Sequence, residues 1–276
     1  LPSGVAATSW LADAAKHARL HVLAVPAGAA AEVSRELGDH TDGAHYVVHG
    51  VRGLWGDALA TISEVVREET PVRRVGALGG PALSDDLHHG RPSVIVCGSH
   101  FPEVIEHFTK TFTSPTLRVY PTNDLVGLEW ASALVGGLTI AVGFAQGIGM
   151  SAGLVAAFIS RSVGEASRIA AAAGGEEKTL LGLAGYGDLL ASTSQVERPE
   201  VILGRELAKG VKLEGAMAAA KLRVEAIELV PRIVAFAERN KVRAPIFKAL
   251  GDGILGGKGA EAILKDLMSQ PIAESA

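Results

Sequence analysis

From Trp130 to Ser160 the chain has no charged side chain, and this single stretch limits the folds open to it. A run that long either crosses a bilayer or is enclosed by other protein. Six glycines (Gly136, Gly137, Gly143, Gly147, Gly149 and Gly153) and Gln146 interrupt it, and no flanking cluster of Lys or Arg sets a membrane orientation. We read it as helices buried in the core of a soluble helical half, with the glycines letting helix backbones approach closely. So much apolar surface also predicts a homodimer contact in that half.

The rest of the composition narrows the function. At 276 residues, 48% hydrophobic and 20% charged, the chain is globular and excludes the disordered class. One cysteine, Cys97, excludes an intrachain disulfide. A net charge of -4 argues against nucleic acid as a partner and leaves a small molecule as the expected ligand. No basic segment precedes an apolar run near residue 1, so no secretory signal is read and the expected location is cytoplasmic.

Short β-branched runs alternate with helical patterns through the first half. Leu20–Val25 ends at Pro26, Ala44–Val48 ends at Gly50, and Val75–Leu78, Ser93–Cys97 and Thr116–Tyr120 complete five expected strands. Ala29–Leu37, Leu54–Glu69 and Pro102–Phe112 have helical spacing. The alternation predicts a parallel sheet covered by helices. At Pro121-Thr122-Asn123-Asp124 turn chemistry intervenes, and only helical patterns follow, as far as Gln270. Two domains are expected, 1–124 of α/β type and 125–276 all-α.

The chemistry-bearing motifs are mostly absent. No segment fits the glycine-rich phosphate turn G-x-G-x-x-G. All nine histidines precede residue 108 with no metal-ligand spacing, so no metal site is expected. Neither Ser84 nor Ser151 lies in G-x-S-x-G, which removes a serine hydrolase. The residues alone stop at a two-domain α/β protein of open ligand.

Separated motifs carry the reading further. Val22-Leu-Ala-Val-Pro26, Gly79-Gly-Pro-Ala-Leu83, Arg118-Val-Tyr120 with Asn123-Asp124 and Gly127-Leu-Glu129, Leu183-Ala-Gly-Tyr-Gly-Asp-Leu189, Ala244-Pro-Ile-Phe247 and Leu267-Met-Ser-Gln-Pro271 occur in the order and spacing of one family. In these motifs the chain resembles the NAD(P)-dependent glycerol-3-phosphate dehydrogenases. The resemblance implies a Rossmann-like N-terminal domain followed by an all-α C-terminal domain, NAD or NADP as cofactor, and hydride transfer between dihydroxyacetone phosphate and glycerol 3-phosphate in glycerophospholipid metabolism.

It also implies what has changed. Leu1-Pro2 and Ala7-Thr8 resemble a family segment that follows the glycine turn, so the sheet is expected to lack its first strands, to expose an edge and to bind the cofactor weakly or not at all. The family's Ala-Leu-Lys-Asn corresponds to Ala133-Leu134-Val135-Gly136, which puts Val135 at the place of a proton-transferring lysine. A second lysine corresponds to Arg52, which keeps the charge and is a poor proton donor. Ala82 replaces a hydroxyl residue, and Glu197-Arg198-Pro199 replaces a phosphate-binding Ser-Arg-Asn step.

Carried over residue by residue, the resemblance assigns catalysis to Asp188. It assigns substrate binding to Arg52, Gly80 and Arg198, and cofactor binding to Pro26, Arg52, Ser84, Arg198 and Glu225. Asp188 also has a plain reading as a helix N-cap, and Arg198 as a solvated side chain. Three functions follow: a dehydrogenase of doubtful activity, a non-catalytic homologue acting as a binding or scaffold subunit, and a protein that pairs its open sheet edge with another chain.

Overall fold

The β-branched runs form five strands: β1 (Leu20–Leu23), β2 (Tyr46–His49), β3 (Arg74–Gly79), β4 (Ser93–Gly98) and β5 (Leu117–Thr122). The structure is a computed structural model that describes residues 4–221, 224–258 and 262–263. Thirteen α-helices lie among the described residues. They are α1 (Leu11–His17), α2 (Ala30–Gly38), α3 (Ile62–Glu69), α4 (Ser84–His88), α5 (Pro102–Phe112), α6 (Leu125–Gly147), α7 (Ala152–Ala172), α8 (Glu177–Leu181), α9 (Asp188–Ser194), α10 (Pro199–Ala208), α11 (Leu213–Ala220), α12 (Ala226–Arg239) and α13 (Pro245–Lys248). No strand follows Thr122 among the described residues. The Leu267–Pro271 motif and the helical pattern as far as Gln270 lie outside them.

The strands form one sheet in the order β1-β2-β3-β4-β5. Every neighbouring pair is parallel except β3 and β4, which run antiparallel. The all-parallel expectation is therefore corrected to a mixed sheet. The cause is local: the link from β3 to β4 holds only the five-residue α4, too short to carry the chain back along the sheet. Ile62 and Val66 of α3 pack with Val47 and Val75 on one face of the sheet, while Val104 and Phe108 of α5 cover Val48, Cys97 and Val119 on the other.

A second correction concerns residues 54–61, expected to be helical. Trp55 and Ala60 exchange backbone hydrogen bonds of 2.8 and 3.0 Å across a tight reversal, with Leu59 at φ 58°. The helix begins at Ile62 because Thr61 and Glu64 form a reciprocal capping box: the Thr61 hydroxyl accepts from Glu64 N–H and the Glu64 carboxylate from Thr61 N–H.

The charge-free run is two helices. In α6 all but a few residues are buried, and its length and composition would suffice to cross a membrane, yet 89% of its most apolar window is enclosed by protein. It crosses α10 at glycine on both sides. A Cβ on Gly204 would lie 2.2 Å from the Ile140 carbonyl oxygen, and one on Gly143 would lie 2.7 Å from that of Val201. The expectation of complete burial fails beyond Gly149. The chain turns there at φ 75°, and α7 becomes buried only from Ile159 onward, leaving Leu154 40% exposed.

Asp124 fastens the helical domain to itself at the crossover from the sheet. Its carboxylate caps α6 through Gly127 N–H at 2.9 Å and accepts from Glu176 N–H at 2.9 Å and the Thr179 hydroxyl at 2.5 Å. Of the turn chemistry read at residues 121–124, Pro121 and Thr122 instead end β5, and Asp124 is the N-terminal cap of α6.

Candidate functional site

Where β2 ends, the chain turns out of the sheet through Gly50 and Val51 and presents Arg52 to the helical domain. Its Nη2 donates to Asp188 Oδ2 at 2.5 Å. Asp188 is 1% exposed, and its other oxygen accepts from the Ser192 hydroxyl at 3.1 Å. The N-cap reading of Asp188 is overturned: it is the first residue of α9, Gly187 occupies the cap position, and no side-chain cap bond is made there. Its position is set by a wide π-helical turn over Leu183–Gly187. In that turn Gly185 packs so closely on Leu180 that a Cβ would lie 2.2 Å from the Leu180 carbonyl oxygen.

Gly80, at φ 93°, ends β3 beside this turn; a Cβ on it would contact Val96 and approach the Leu183 carbonyl oxygen at 3.7 Å. Val135 approaches the same turn from α6. It lies with Leu138, Val163, Leu180, Gly185 and Leu189 around a dry apolar gap with no space for a water molecule. Arg52 and Asp188 thus meet directly, while Gly80 and Val135 pack near the Leu183–Gly187 turn that precedes Asp188. No lysine takes part in the junction's described hydrogen bonds or ion pairs.

A cleft of about 270 Å3 opens beside the junction, with Ala27, Gly53, Trp55, Glu225, Glu228 and Arg232 in its wall. Glu225 Oε1 accepts from Ala27 N–H at 2.9 Å, one residue after Pro26. Gly53 lets the two approach: a Cβ there would sit 2.9 Å from the Ala27 Cβ and 3.2 Å from Glu225 Oε2. Glu225 therefore lines the cleft itself, while Pro26 and Arg52 are the chain neighbours of its wall residues Ala27 and Gly53.

Arg198 and Ser84 are placed otherwise. The Arg198 Nε donates to Glu200 Oε2 at 3.1 Å with both side chains largely buried, so the solvated reading is corrected to an ion pair. Ser84 is exposed at the start of α4, a five-residue helix. Among the described residues no group of three His, Cys, Asp or Glu is arranged to hold a metal. Burial raises the Cys97 thiol to about 12, which makes it no nucleophile.

One cluster escaped the sequence reading. His49 Nε2 lies 2.9 Å from Glu129 Oε1 and 3.3 Å from the Ser63 hydroxyl, and Ser63 N–H donates to the same Glu129 oxygen at 2.9 Å. A signal existed, since Glu129 is the only charge in α6, and a buried acid in an apolar helix requires donors.

The N-terminal family model of NAD-dependent glycerol-3-phosphate dehydrogenase matches residues 1–105, and the C-terminal model of the same description matches residues 124–265. Glycerol-3-phosphate dehydrogenase (NAD(P)+) of Fusobacterium nucleatum is 29% identical over 270 residues, covering 97% of this chain and 81% of that protein. The corresponding protein of Moorella thermoacetica is 30% identical over 264 residues, covering 96% and 78%. The crystal structure of glycerol-3-phosphate dehydrogenase from Coxiella burnetii superposes with a TM-score of 0.91 at 22% identity, over 98% of this chain and 82% of that one. That similarity shows the fold.

A pyrophosphate needs free backbone N–H groups at a helix N-terminus. At the start of the turn into α2, Ala27 N–H is already taken by Glu225, while Glu228 and Arg232 add one charge of each sign to the wall. No described segment forms a glycine phosphate turn.

Proposed function

Because the chain belongs to the NAD-dependent glycerol-3-phosphate dehydrogenase family, we propose that its junction site binds a phosphorylated three-carbon metabolite of the dihydroxyacetone phosphate and glycerol 3-phosphate class, without the proton transfer that reduction of the ketone requires. The observation that supports this reading is the pairing of Arg52 with Asp188, with Val135 packed against the turn that precedes Asp188. Arg52 spends one nitrogen on Asp188, and its side chain is 35% exposed, so the remaining N–H groups are open to an anion. Val135 has no proton to give, and a guanidinium holds its own too tightly to act as an acid near neutral pH. Loss of a general acid typically slows such a step by ~100- to 10,000-fold.

The remaining parts of the reading follow the same logic. NAD or NADP, the family's cofactor, binds weakly to residues 1–276, since Glu225 already takes the Ala27 N–H at the turn into α2 and no described segment forms a glycine phosphate turn. The protein acts as a non-catalytic binding subunit in the cytoplasm and pairs with a second copy through its helical domain.

Calorimetric titration with glycerol 3-phosphate tests the binding claim, with glycerol as the control. Saturable binding with a dissociation constant below about 10 mM, removed by Arg52→Ala, supports it. Heat that is identical for glycerol, or that survives Arg52→Ala, contradicts it.

A further inference from the structure

Glu129 stands in the second turn of α6, in the helical domain, yet its described side-chain hydrogen bonds run to the sheet domain. Its Oε1 accepts from Ser63 N–H, at the second residue of α3, and from His49 Nε2 at the last residue of β2. The carboxylate therefore lies at a helix N-terminus, where unpaired N–H groups favour negative charge. It lies equally beside the imidazole of a strand end. His49 and Glu129 are each about 1% exposed as side chains. Since a carboxylate only accepts, Nε2 carries the proton in this pair.

The network continues along α6. Glu129, Ser132 and Val135 follow at three-residue steps, so they share one face of the helix. Ser132 packs on the end of β3: a Cβ on Gly79 would meet the Ser132 hydroxyl at 2.9 Å and Leu128 at 2.7 Å. His49 and Ala77 are register partners between β2 and β3, so Glu129 and Ser132 grip the carboxyl ends of two adjacent strands. Val135 then meets the Leu183–Gly187 turn that carries Asp188. Three residues beyond His49, Arg52 reaches that same Asp188. Three atoms of this face, His49 Nδ1, Glu129 Oε2 and Ser132 Oγ, are buried without a partner. Buried polar atoms left in this state cost stability, which a purely packing interface would avoid with apolar side chains.

We infer that His49 and Glu129 form a positioning pair, which locks α6 in register with the ends of β2 and β3 and thereby holds Arg52 against Asp188. The apolar neighbours on the same helix face slide easily along its axis, whereas an N–H···O bond into a helix N-terminus fixes one register. This inference rests on the reading of Arg52 as the anion-binding group only in its consequence for ligand affinity. The Arg52–Asp188 contact itself is measurable without a ligand.

The test follows the guanidinium 15N–1H resonances of Arg52 in the whole chain, assigned through Arg52→Lys, together with titration by inorganic phosphate. In the wild type these resonances are resolved by restricted rotation, and Asp188→Asn collapses them. His49→Leu, which removes the donor to Glu129, collapses them too and weakens phosphate binding at least about fivefold. His49→Gln, whose amide supplies a donor to Glu129, keeps the resonances and holds the phosphate affinity within about twofold of wild type.

Unchanged resonances and affinity in a folded His49→Leu protein overturn the inference. So does a wild-type Arg52 whose signals ignore Asp188→Asn. Should His49→Leu not fold, Glu129→Met, which keeps the length and removes both acceptor oxygens, is read by the same two criteria. If phosphate leaves the wild-type Arg52 signals unmoved, the anion-site reading fails, and the comparison of wild type with His49→Leu still decides the positioning role.

Discussion

Arg52 Nη2 donates to Asp188 Oδ2 across 2.5 Å, joining the loop after β2 to the first residue of α9. Each partner fits the other's surroundings. Asp188 is enclosed and has one other donor, the Ser192 hydroxyl, while Arg52 keeps an exposed edge.

Arg52→Ala leaves the Asp188 carboxylate buried with that single donor, so it destabilises the fold by about 1–3 kcal/mol. The range lies below that for a fully enclosed pair, because water reaches Arg52 and screens the interaction. A double-mutant cycle with Asp188→Ala in urea unfolding reads the coupling directly. A coupling indistinguishable from zero would show that the contact contributes nothing to the fold.

The crossing of α6 and α10 depends on absent side chains. Gly204→Ala drives a methyl into the Ile140 carbonyl, 2.2 Å away, and costs about 2–3 kcal/mol through forced separation of the helices. Gly164→Ala in α7, where the nearest atom is 3.8 Å away at the end of Arg168, stabilises by about 0.5–1 kcal/mol through helix propensity. Opposite signs for the two substitutions in thermal melts check the account of the crossing, and equal signs refute it.

Much of this architecture was legible in the sequence. The strand runs ended at Gly and Pro, and the charge-free stretch had to be covered. The orientation of β4 was not legible, because it depends on what a five-residue helix can span. Residues 54–61 misled because Leu54 and Ala58 keep a helical spacing while Thr61 and Glu64 set the start about two turns later. In the site, Arg52 and Asp188 were legible as charged residues in motifs, but the 136 positions between them hid their contact. His49 and Glu129 went unpaired for the same reason, as nothing local links a strand end to a helix 80 residues on.

Glu165 supplies a pH signature. Burial raises its carboxyl to about 7, while backbone N–H groups of Ile246 and Phe247 and the charges of Arg168 and Arg161 oppose that rise. The folded protein thus holds this proton up to about pH 7, whereas the unfolded chain releases it near 4.5. Stability contributed by this group is complete below pH 4.5 and falls as pH rises through 7, by up to about 1.4 kcal/mol per unit. The difference between wild type and Glu165→Gln in denaturant unfolding should fall over that window and flatten above it. A difference that stays constant with pH would place the Glu165 carboxyl at its ordinary value.

The exposed first half of α7, with Leu154 at its surface, predicts self-association through the helical domain. Sedimentation equilibrium at ~100 μM should give a dimer, and Leu154→Arg should shift it toward monomer, since ordinary stable interfaces persist far below that concentration. A wild-type monomer under those conditions rules this surface out as a dimer contact.

The proposal that the chain lacks a proton donor is most directly tested by steady-state reduction of dihydroxyacetone phosphate with NADH in millimolar excess, followed as NADH oxidation. The unmodified chain should show no turnover above the uncatalysed background. Val135→Lys alone should not restore it, because the niche around Val135 has no space for water and Arg52 already occupies Asp188. Robust turnover by the unmodified chain would contradict the account outright, for it would require a proton donor that neither Val135 nor Arg52 provides.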